Sequence, residues 1–148
     1  MADRLRHLVA MLRVTQVRRT SLEQALQRNV TQARELNERL VQRQDARLAH
    51  ERERDMVALD LNDSHTRLAS DSRPQTALRN QASRLDAGLA SLELQLRVFQ
   101  RDFDVVNERG QIARAALTKV DGLHKAIHER LKSERRRRRE MLEEDADA

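Results

Sequence analysis

The chain has 148 residues, of which 36% are charged and 1% aromatic, and it contains three glycines, one proline and no cysteine. So little helix-breaking sequence argues against sheets and tight turns and indicates long helices. The absence of cysteine excludes disulfides, thiolate catalysis and cysteine-based metal sites. The longest uncharged apolar run, Leu8 to Leu12, is far shorter than the roughly 20 residues that span a bilayer, and Met1 to Arg6 does not begin a signal peptide. We therefore expect a soluble cytoplasmic protein that does not span the membrane.

The first half of the chain predicts one long helix, at about residues 3–69, with a narrow apolar seam. Positions spaced alternately three and four residues apart are mostly apolar from Leu5 to Leu40, which is the 3.5-residue repeat of a coiled coil. The seam then loses its apolar character at four positions, Arg43, Arg47, His50 and Arg54. A one-residue shift of frame, as in coiled-coil stutters, would carry the seam across this gap through Val41, Leu48 and Met56.

A polar stretch at the midpoint, from Asn62 to Thr76, predicts the break between two helices. It contains the only proline, Pro74, and many small polar residues that compete for backbone hydrogen bonds. Proline is tolerated in the first turn of a helix, so we place the turn at about 70–74, with Ser72 or Arg73 as the cap of the second helix. A short turn between helices of equal length makes them antiparallel neighbours, each roughly 100 Å long at 1.5 Å per residue.

The second half of the chain predicts a second helix, at about residues 75–142, with a stronger seam. From Leu78 to Leu131 every seam position except Gly110 and His124 is apolar, and such a seam must lie against another helix. The expected fold class is therefore all-α, a long antiparallel two-helix coiled-coil hairpin that forms a single domain with both termini at one tip. Residues 143–148 form an acidic tail that we expect to fray.

An unbroken run of arginines, Arg135 to Arg139, follows the end of the seam. The hairpin brings this run close to five arginines near the start of the chain, Arg4, Arg6, Arg13, Arg18 and Arg19. The terminal tip is thus predicted to be the most positive part of the molecule. Phosphate contacts with nucleic acid are one interpretation of such a surface, although the chain has no Trp or Tyr that could stack on bases.

The sequence predicts no catalytic or cofactor site. Its three glycines stand singly within helix, and an open two-helix hairpin offers no concavity for a catalytic triad. His124 and His128 have the spacing of two metal ligands on one helix face, but no third ligand is evident, and a zinc-protease motif would need Glu in place of Lys125. We expect no enzyme activity, metal, cofactor or small-molecule substrate, and we expect His124 to fill a core position.

Helix two also carries a candidate partner surface. A second apolar stripe lies outside the seam at Leu94, Val98, Val105 and Ile112. In the hairpin the polar stretch of helix one lies opposite Leu92 to Phe103, so Phe99 and Phe103 are left partly open unless the frame shift covers them. A partner helix or groove could bind these six residues. Equally, the two stripes could thicken the seam or mediate self-association.

The layout and both ends of the chain resemble the stalk proteins of bacterial type III secretion, flagellar FliJ and injectisome YscO. Leu5 to Val14 resembles the start of that family, in which a short apolar stretch ends in a Leu-Arg-Val type triplet. Glu134 to Glu140, with the acidic tail, is similar to the charged C-terminal end of the family. The chain lacks the aromatic residues that some members carry in the middle of helix one.

The resemblance implies a non-catalytic central stalk, peripheral to the inner-membrane secretion apparatus, that couples a hexameric secretion ATPase to the export gate. Family members resemble the coiled-coil part of the rotary ATPase γ subunit, contact the cytoplasmic ring of the export gate, and in some cases bind secretion chaperones. The implied ATPase-binding tip carries nine arginines, Arg4, Arg6, Arg13, Arg18, Arg135, Arg136, Arg137, Arg138 and Arg139. Two alternatives stay open: a structural scaffolding coiled coil whose seam pairs between chains, and a basic nucleic-acid-binding coiled coil.

Overall fold

A computed structural model describes the backbone of residues 2–66 and 73–147 and the side chains of residues 3–65 and 75–147. The described backbone consists of two helices, α1 (Ala2–Thr66) and α2 (Arg73–Asp147), and contains no strand. The two helices pack against each other, which confirms the prediction of an all-α helical hairpin. Neither helix, over these ranges, has a stretch long and apolar enough to cross a membrane.

The bounds of the helices differ from the prediction at two places. The predicted turn at 70–74 and the predicted cap Ser72 fall largely on residues 67–72, which lie outside the described residues, whereas Arg73 and Pro74 already belong to the first turn of α2. A proline there removes no helical hydrogen bond, because the first N–H groups of a helix have no partner within it. At the other end, α2 continues to Asp147 and includes residues of the tail that we expected to fray. Just before the tail, Arg136 Nε and Glu140 Oε1 form an i, i+4 pair at 3.1 Å, which supports the helix at that point.

The chain divides into two compact units. The terminal unit combines Met1–Thr31 with Asn107–Ala148 and so contains both chain ends, while the middle unit comprises Gln32–Val106. Each unit consists of one segment of α1 and one segment of α2.

The terminal unit has an apolar core and a polar link between its two helices. Leu8 packs with Ile127 and Leu131, and three partly buried side chains complete this cluster, Leu5, Val9 and Leu12. Further along α1, Thr15 lies against His124, and Arg19 Nε contacts Asp121 Oδ1 at 3.0 Å. Residue numbers thus fall on α2 as they rise on α1, which establishes antiparallel packing in this unit.

The middle unit shows the same antiparallel order. Val57 of α1 packs with Ala82 and Leu85 of α2, and Leu61 and Leu78 cover this cluster. On the polar side, Arg54 Nε donates a hydrogen bond of 2.7 Å to Asp86 Oδ1, and the Arg47 guanidinium lies 3.6 Å from Glu93 Oε1.

The apolar seam predicted for helix two is confirmed at each of its positions. From Leu78 to Leu131, every residue at the alternating spacing of four and three is buried or half-buried, including the two that are not apolar, Gly110 and His124. A 3.5-residue repeat keeps one face of a helix against its neighbour over many turns.

The frame shift predicted for helix one is wrong. Its three residues are exposed, with Val41 at 47%, Leu48 at 50% and Met56 at 66% of their accessible surface. The seam instead keeps its frame through three polar residues that are half-buried, Arg47, His50 and Arg54.

The chemistry of these three side chains explains why no frame shift is needed. Arginine can bury its methylene stem while its guanidinium stays in water, and Arg54 and Arg47 hold theirs beside acidic residues of α2. The His50 ring donates from Nδ1 to the Ala46 carbonyl oxygen at 2.9 Å and lies over Gly88. A Cβ at position 88 would come within 3.2 Å of His50 Cδ2, so the glycine makes room for the imidazole.

Candidate functional site

The first turns of α1 and the last turns of α2 form an open groove of ≈ 840 Å³ within the terminal unit. Five of its lining residues are apolar and are called its floor here, Leu5, Val9, Ala10, Leu131 and Leu142. The other five are arginines, Arg6, Arg13, Arg135, Arg138 and Arg139. The groove therefore combines apolar and cationic side chains from both helices.

Helical spacing explains why only some members of the arginine run reach the groove. Five consecutive residues on a helix point to all sides, but positions 135, 138 and 139 are related by i, i+3 and i, i+4 and share one face. Leu131 and Leu142 lie on the same face, one turn before and about one turn after these arginines. On α1, Leu5 and Val9 are likewise four residues apart, with Arg6 and Arg13 beside them.

The nine tip arginines inferred from the sequence all belong to the terminal unit, but they do not form one site. Five of them line the groove. Arg136 lines a second depression of ≈ 460 Å³, together with Arg135, Arg139, Lys132 and His128. Arg4, Arg18 and Arg137 are exposed and line neither depression.

The arginines of the groove differ from those of the seam in their pairing. None of the five groove arginines lies within 4.0 Å of a carboxylate of the described residues, whereas Arg19, Arg47 and Arg54 each contact acidic residues. An unpaired guanidinium presents a planar fork of donors that matches a carboxylate or phosphate. The groove is therefore suited to bind a ligand that carries both anionic and apolar groups.

The two histidines of helix two have separate environments. His124 is half-buried in the seam, with Nδ1 3.0 Å from the hydroxyl oxygen of Thr15, whereas the exposed His128 lies in the second depression beside Lys132 and Arg135. Across residues 3–65 and 75–147, no group of three or more His, Asp or Glu side chains is placed to hold a metal ion. His124 thus fills a core position, as the sequence predicts.

The six residues of the candidate partner surface are divided by the structure. Leu94, Val98 and Val105 are exposed in the middle unit, at 64%, 48% and 40% of their surface, and Ile112 is exposed in the terminal unit. Phe99 and Phe103 are half-buried and belong to the seam. The exposed stripe of the middle unit thus consists of three aliphatic side chains without either phenylalanine.

Sequence reasoning identified the arginines of the groove and, as seam positions, Leu5 and Leu131, but it missed the other three apolar lining residues. Leu142 lies beyond the end of the seam and was assigned to the end of helix two, and Val9 and Ala10 lie beside the seam positions. The available signal was the spacing of Leu131 and Leu142, which are eleven residues apart and so share a helix face after three turns.

Comparisons with known proteins add no relative to these observations. A scan against protein-family models, a search of curated proteins and a search of solved structures each returned no significant match.

Proposed function

We propose that this chain is the central stalk of a bacterial type III secretion apparatus, a non-catalytic link between a hexameric secretion ATPase and the export gate. The observation that carries the proposal is the terminal unit, in which both ends of the chain form one antiparallel helix pair with an exposed arginine surface. The two-helix layout, the apolar start and the charged end also resemble those of FliJ and YscO.

The exposed charges of the terminal unit suit contact with a partner that rotates or changes its conformation. Exposed ionic contacts in water contribute little free energy each, about 0–1 kcal/mol, and they are screened by salt. A surface of this kind can be held in a polar channel and released again, whereas a large apolar surface would stay bound. The groove arginines, which have no carboxylate of the described residues within 4.0 Å, are the groups we assign to the ATPase.

The seam supports a function carried out by a single chain. Its apolar positions on α2 are covered by α1 of the same chain, through Leu8 in the terminal unit and Val57 in the middle unit. A scaffold whose seam pairs between chains would need those surfaces for its partner. We therefore propose that the chain acts as a single hairpin in the cytoplasm, at the inner-membrane secretion apparatus.

A second contact is expected on the middle unit. Leu94, Val98 and Val105 are exposed at helical spacing, which is typical of a surface that receives a partner helix. We assign this stripe to the cytoplasmic ring of the export gate or to a secretion chaperone.

The proposal is tested by adding the purified full-length chain to the cognate secretion ATPase and measuring both ATP hydrolysis and the fraction of hexamer. We expect hydrolysis to rise several-fold and the hexamer fraction to increase with it. An unrelated helical protein of similar size and net charge is the control. If neither hydrolysis nor oligomeric state changes, the stalk proposal is wrong.

A further inference from the structure

The apolar floor of the terminal groove has no role in a purely electrostatic contact. Leu131 is 5% exposed and belongs to the core cluster, against which the half-buried Leu5 and Val9 pack. Ala10 is exposed, and Leu142 is 60% exposed. A partner that used only the arginines would leave Ala10 and Leu142 in contact with water, so the groove suits a ligand that also carries apolar side chains.

The length of the groove indicates the size of its ligand. Its α2 side runs from Leu131 to Leu142, about 16 Å at a rise of 1.5 Å per residue, and its α1 side runs from Leu5 to Arg13, about 12 Å. These lengths correspond to about two to three turns of a helix. An amphipathic helix that docks in a groove uses apolar anchors at i, i+3 or i+4, and i+7, which span two to three turns.

We propose that the groove binds an acidic amphipathic helix of a partner protein. The apolar residues of that helix would lie on the floor, and Asp or Glu residues flanking them would pair with Arg6 and Arg13 on one side and with Arg135, Arg138 and Arg139 on the other. The inference goes beyond the stalk proposal, because it names the ligand of one face and holds whichever apparatus the chain serves.

Two other anionic ligands fit the groove less well. A nucleic-acid duplex presents rows of phosphates but no apolar ridge between them. An anionic bilayer is an extended surface, whereas the groove is confined to the first turns of α1 and the last turns of α2. Both are also polyanions that would continue past the groove toward the exposed acidic residues at the end of α2, Glu140, Glu143, Glu144, Asp145 and Asp147.

The test uses a fluorescent, acetylated peptide of 16 residues in which leucines at i, i+4, i+7 and i+11 form one stripe and the remaining positions are mostly Glu. A second peptide of the same composition has its leucines redistributed around the helix. Binding of each peptide to the full-length chain is followed by fluorescence anisotropy at 50 and 300 mM NaCl. We expect the striped peptide to bind at least tenfold more tightly than the redistributed one and to weaken several-fold at the higher salt concentration.

Paired variants locate the binding site. Ala10→Asp places a carboxylate on the floor and should weaken binding of the striped peptide at least tenfold, whereas Ala126→Asp, at an exposed position of the same unit outside the groove, should not. Arg138→Gln should weaken binding several-fold, whereas Arg137→Gln, its neighbour outside the groove, should change it less than twofold. Circular dichroism of each variant checks that the helices are intact.

Three results would overturn the inference. Equal binding of both peptides would show that the groove recognises only negative charge. If neither peptide binds, the groove is not a binding site for an acidic amphipathic helix. Tighter binding of a 24-base-pair DNA duplex or of vesicles containing phosphatidylglycerol, with the same loss on Ala10→Asp, would assign the groove to that ligand instead. Stimulation of the ATPase without peptide binding would support the stalk proposal and contradict the helix-binding groove. Peptide binding without stimulation would support the helix-binding groove and contradict the stalk proposal.

Discussion

Thr15 and His124 join the two helices of the terminal unit through a hydrogen bond in the seam. The Thr15 hydroxyl donates to the Leu12 carbonyl oxygen at 2.9 Å, and its oxygen lies 3.0 Å from His124 Nδ1. Because the single hydroxyl hydrogen is used for Leu12, the imidazole is the donor and carries a hydrogen on Nδ1. Thr15 is 4% exposed, and these two hydrogen bonds satisfy its hydroxyl group inside the core.

Removal of the Thr15 hydroxyl should destabilise the hairpin. Thr15→Val keeps the shape of the side chain but leaves the Nδ1–H of His124 without its partner, which costs about 1–2 kcal/mol. The double variant Thr15→Val with His124→Leu should recover much of this loss, because both polar groups are then gone. Urea unfolding followed by circular dichroism measures the change.

A matched control for this prediction is Thr20→Val on the same helix. Thr20 also donates to a backbone carbonyl, that of Gln16 at 3.0 Å, but it is exposed, so the change should stay within about 0.5 kcal/mol. Equal stability of Thr15→Val and the wild-type chain would show that the pair contributes nothing.

The three glycines should respond differently to alanine. A Cβ at Gly110 or Gly122 meets nothing within 4 Å, so Gly110→Ala and Gly122→Ala should each stabilise the helix by about 1 kcal/mol. Gly88→Ala should gain less, because its Cβ would press on the His50 ring at 3.2 Å. With His50→Ala in the background, Gly88→Ala should gain as much as the other two. Thermal unfolding checks the order, and a full gain for Gly88→Ala alone would contradict the contact with His50.

The register of the middle unit can be tested by chemical cross-linking, because the chain has no natural cysteine. Arg54→Cys with Asp86→Cys replaces two side chains that are 2.7 Å apart, so a short bismaleimide should link them within one chain. Arg54→Cys with Arg79→Cys moves the second thiol about 10 Å along α2 and should link poorly. Mass spectrometry and gel mobility distinguish the products, and linked dimers as the main product would favour the scaffold in which the seam pairs between chains.

The exposed stripe of the middle unit and the neighbouring seam should differ in their effects on stability. Leu94→Gln and Val98→Gln change exposed side chains and should shift the free energy of unfolding by less than about 0.5 kcal/mol. Phe99→Ala removes a half-buried ring from the seam and should cost about 2 kcal/mol. Chemical denaturation measures all three, and a loss of similar size for Leu94→Gln would mean that the stripe thickens the seam.

The sequence predicted those features that depend on periodicity. The repeat from Leu78 to Leu131 identified the buried face of α2, and Pro74 identified the break between the helices. The path of the seam through Arg47, His50 and Arg54 was missed, because an apolar repeat assigns polar residues to the exposed face of a helix. Such a repeat contains no information about the apolar stems of arginines or about the space that Gly88 leaves for an imidazole.

The arginine surface was likewise predicted only in part. The run from Arg135 to Arg139 and the early arginines follow from the sequence, but their division between a groove and other faces depends on helix rotation. The apolar floor combines Val9 and Ala10 of α1 with Leu142 of α2. No local pattern in either helix contains that combination.

The central claim, that the arginines of the terminal unit engage a secretion ATPase, is tested most directly by titrating the cognate hexameric ATPase with the chain and two triple variants. One variant combines Arg135→Gln, Arg138→Gln and Arg139→Gln in the groove. The other makes the same change of charge at three exposed arginines of the middle unit, Arg79, Arg97 and Arg101. The account predicts that the groove variant loses most of the stimulation of ATP hydrolysis while the middle-unit variant keeps it. Full stimulation by the groove variant, or equal loss by both, would contradict it.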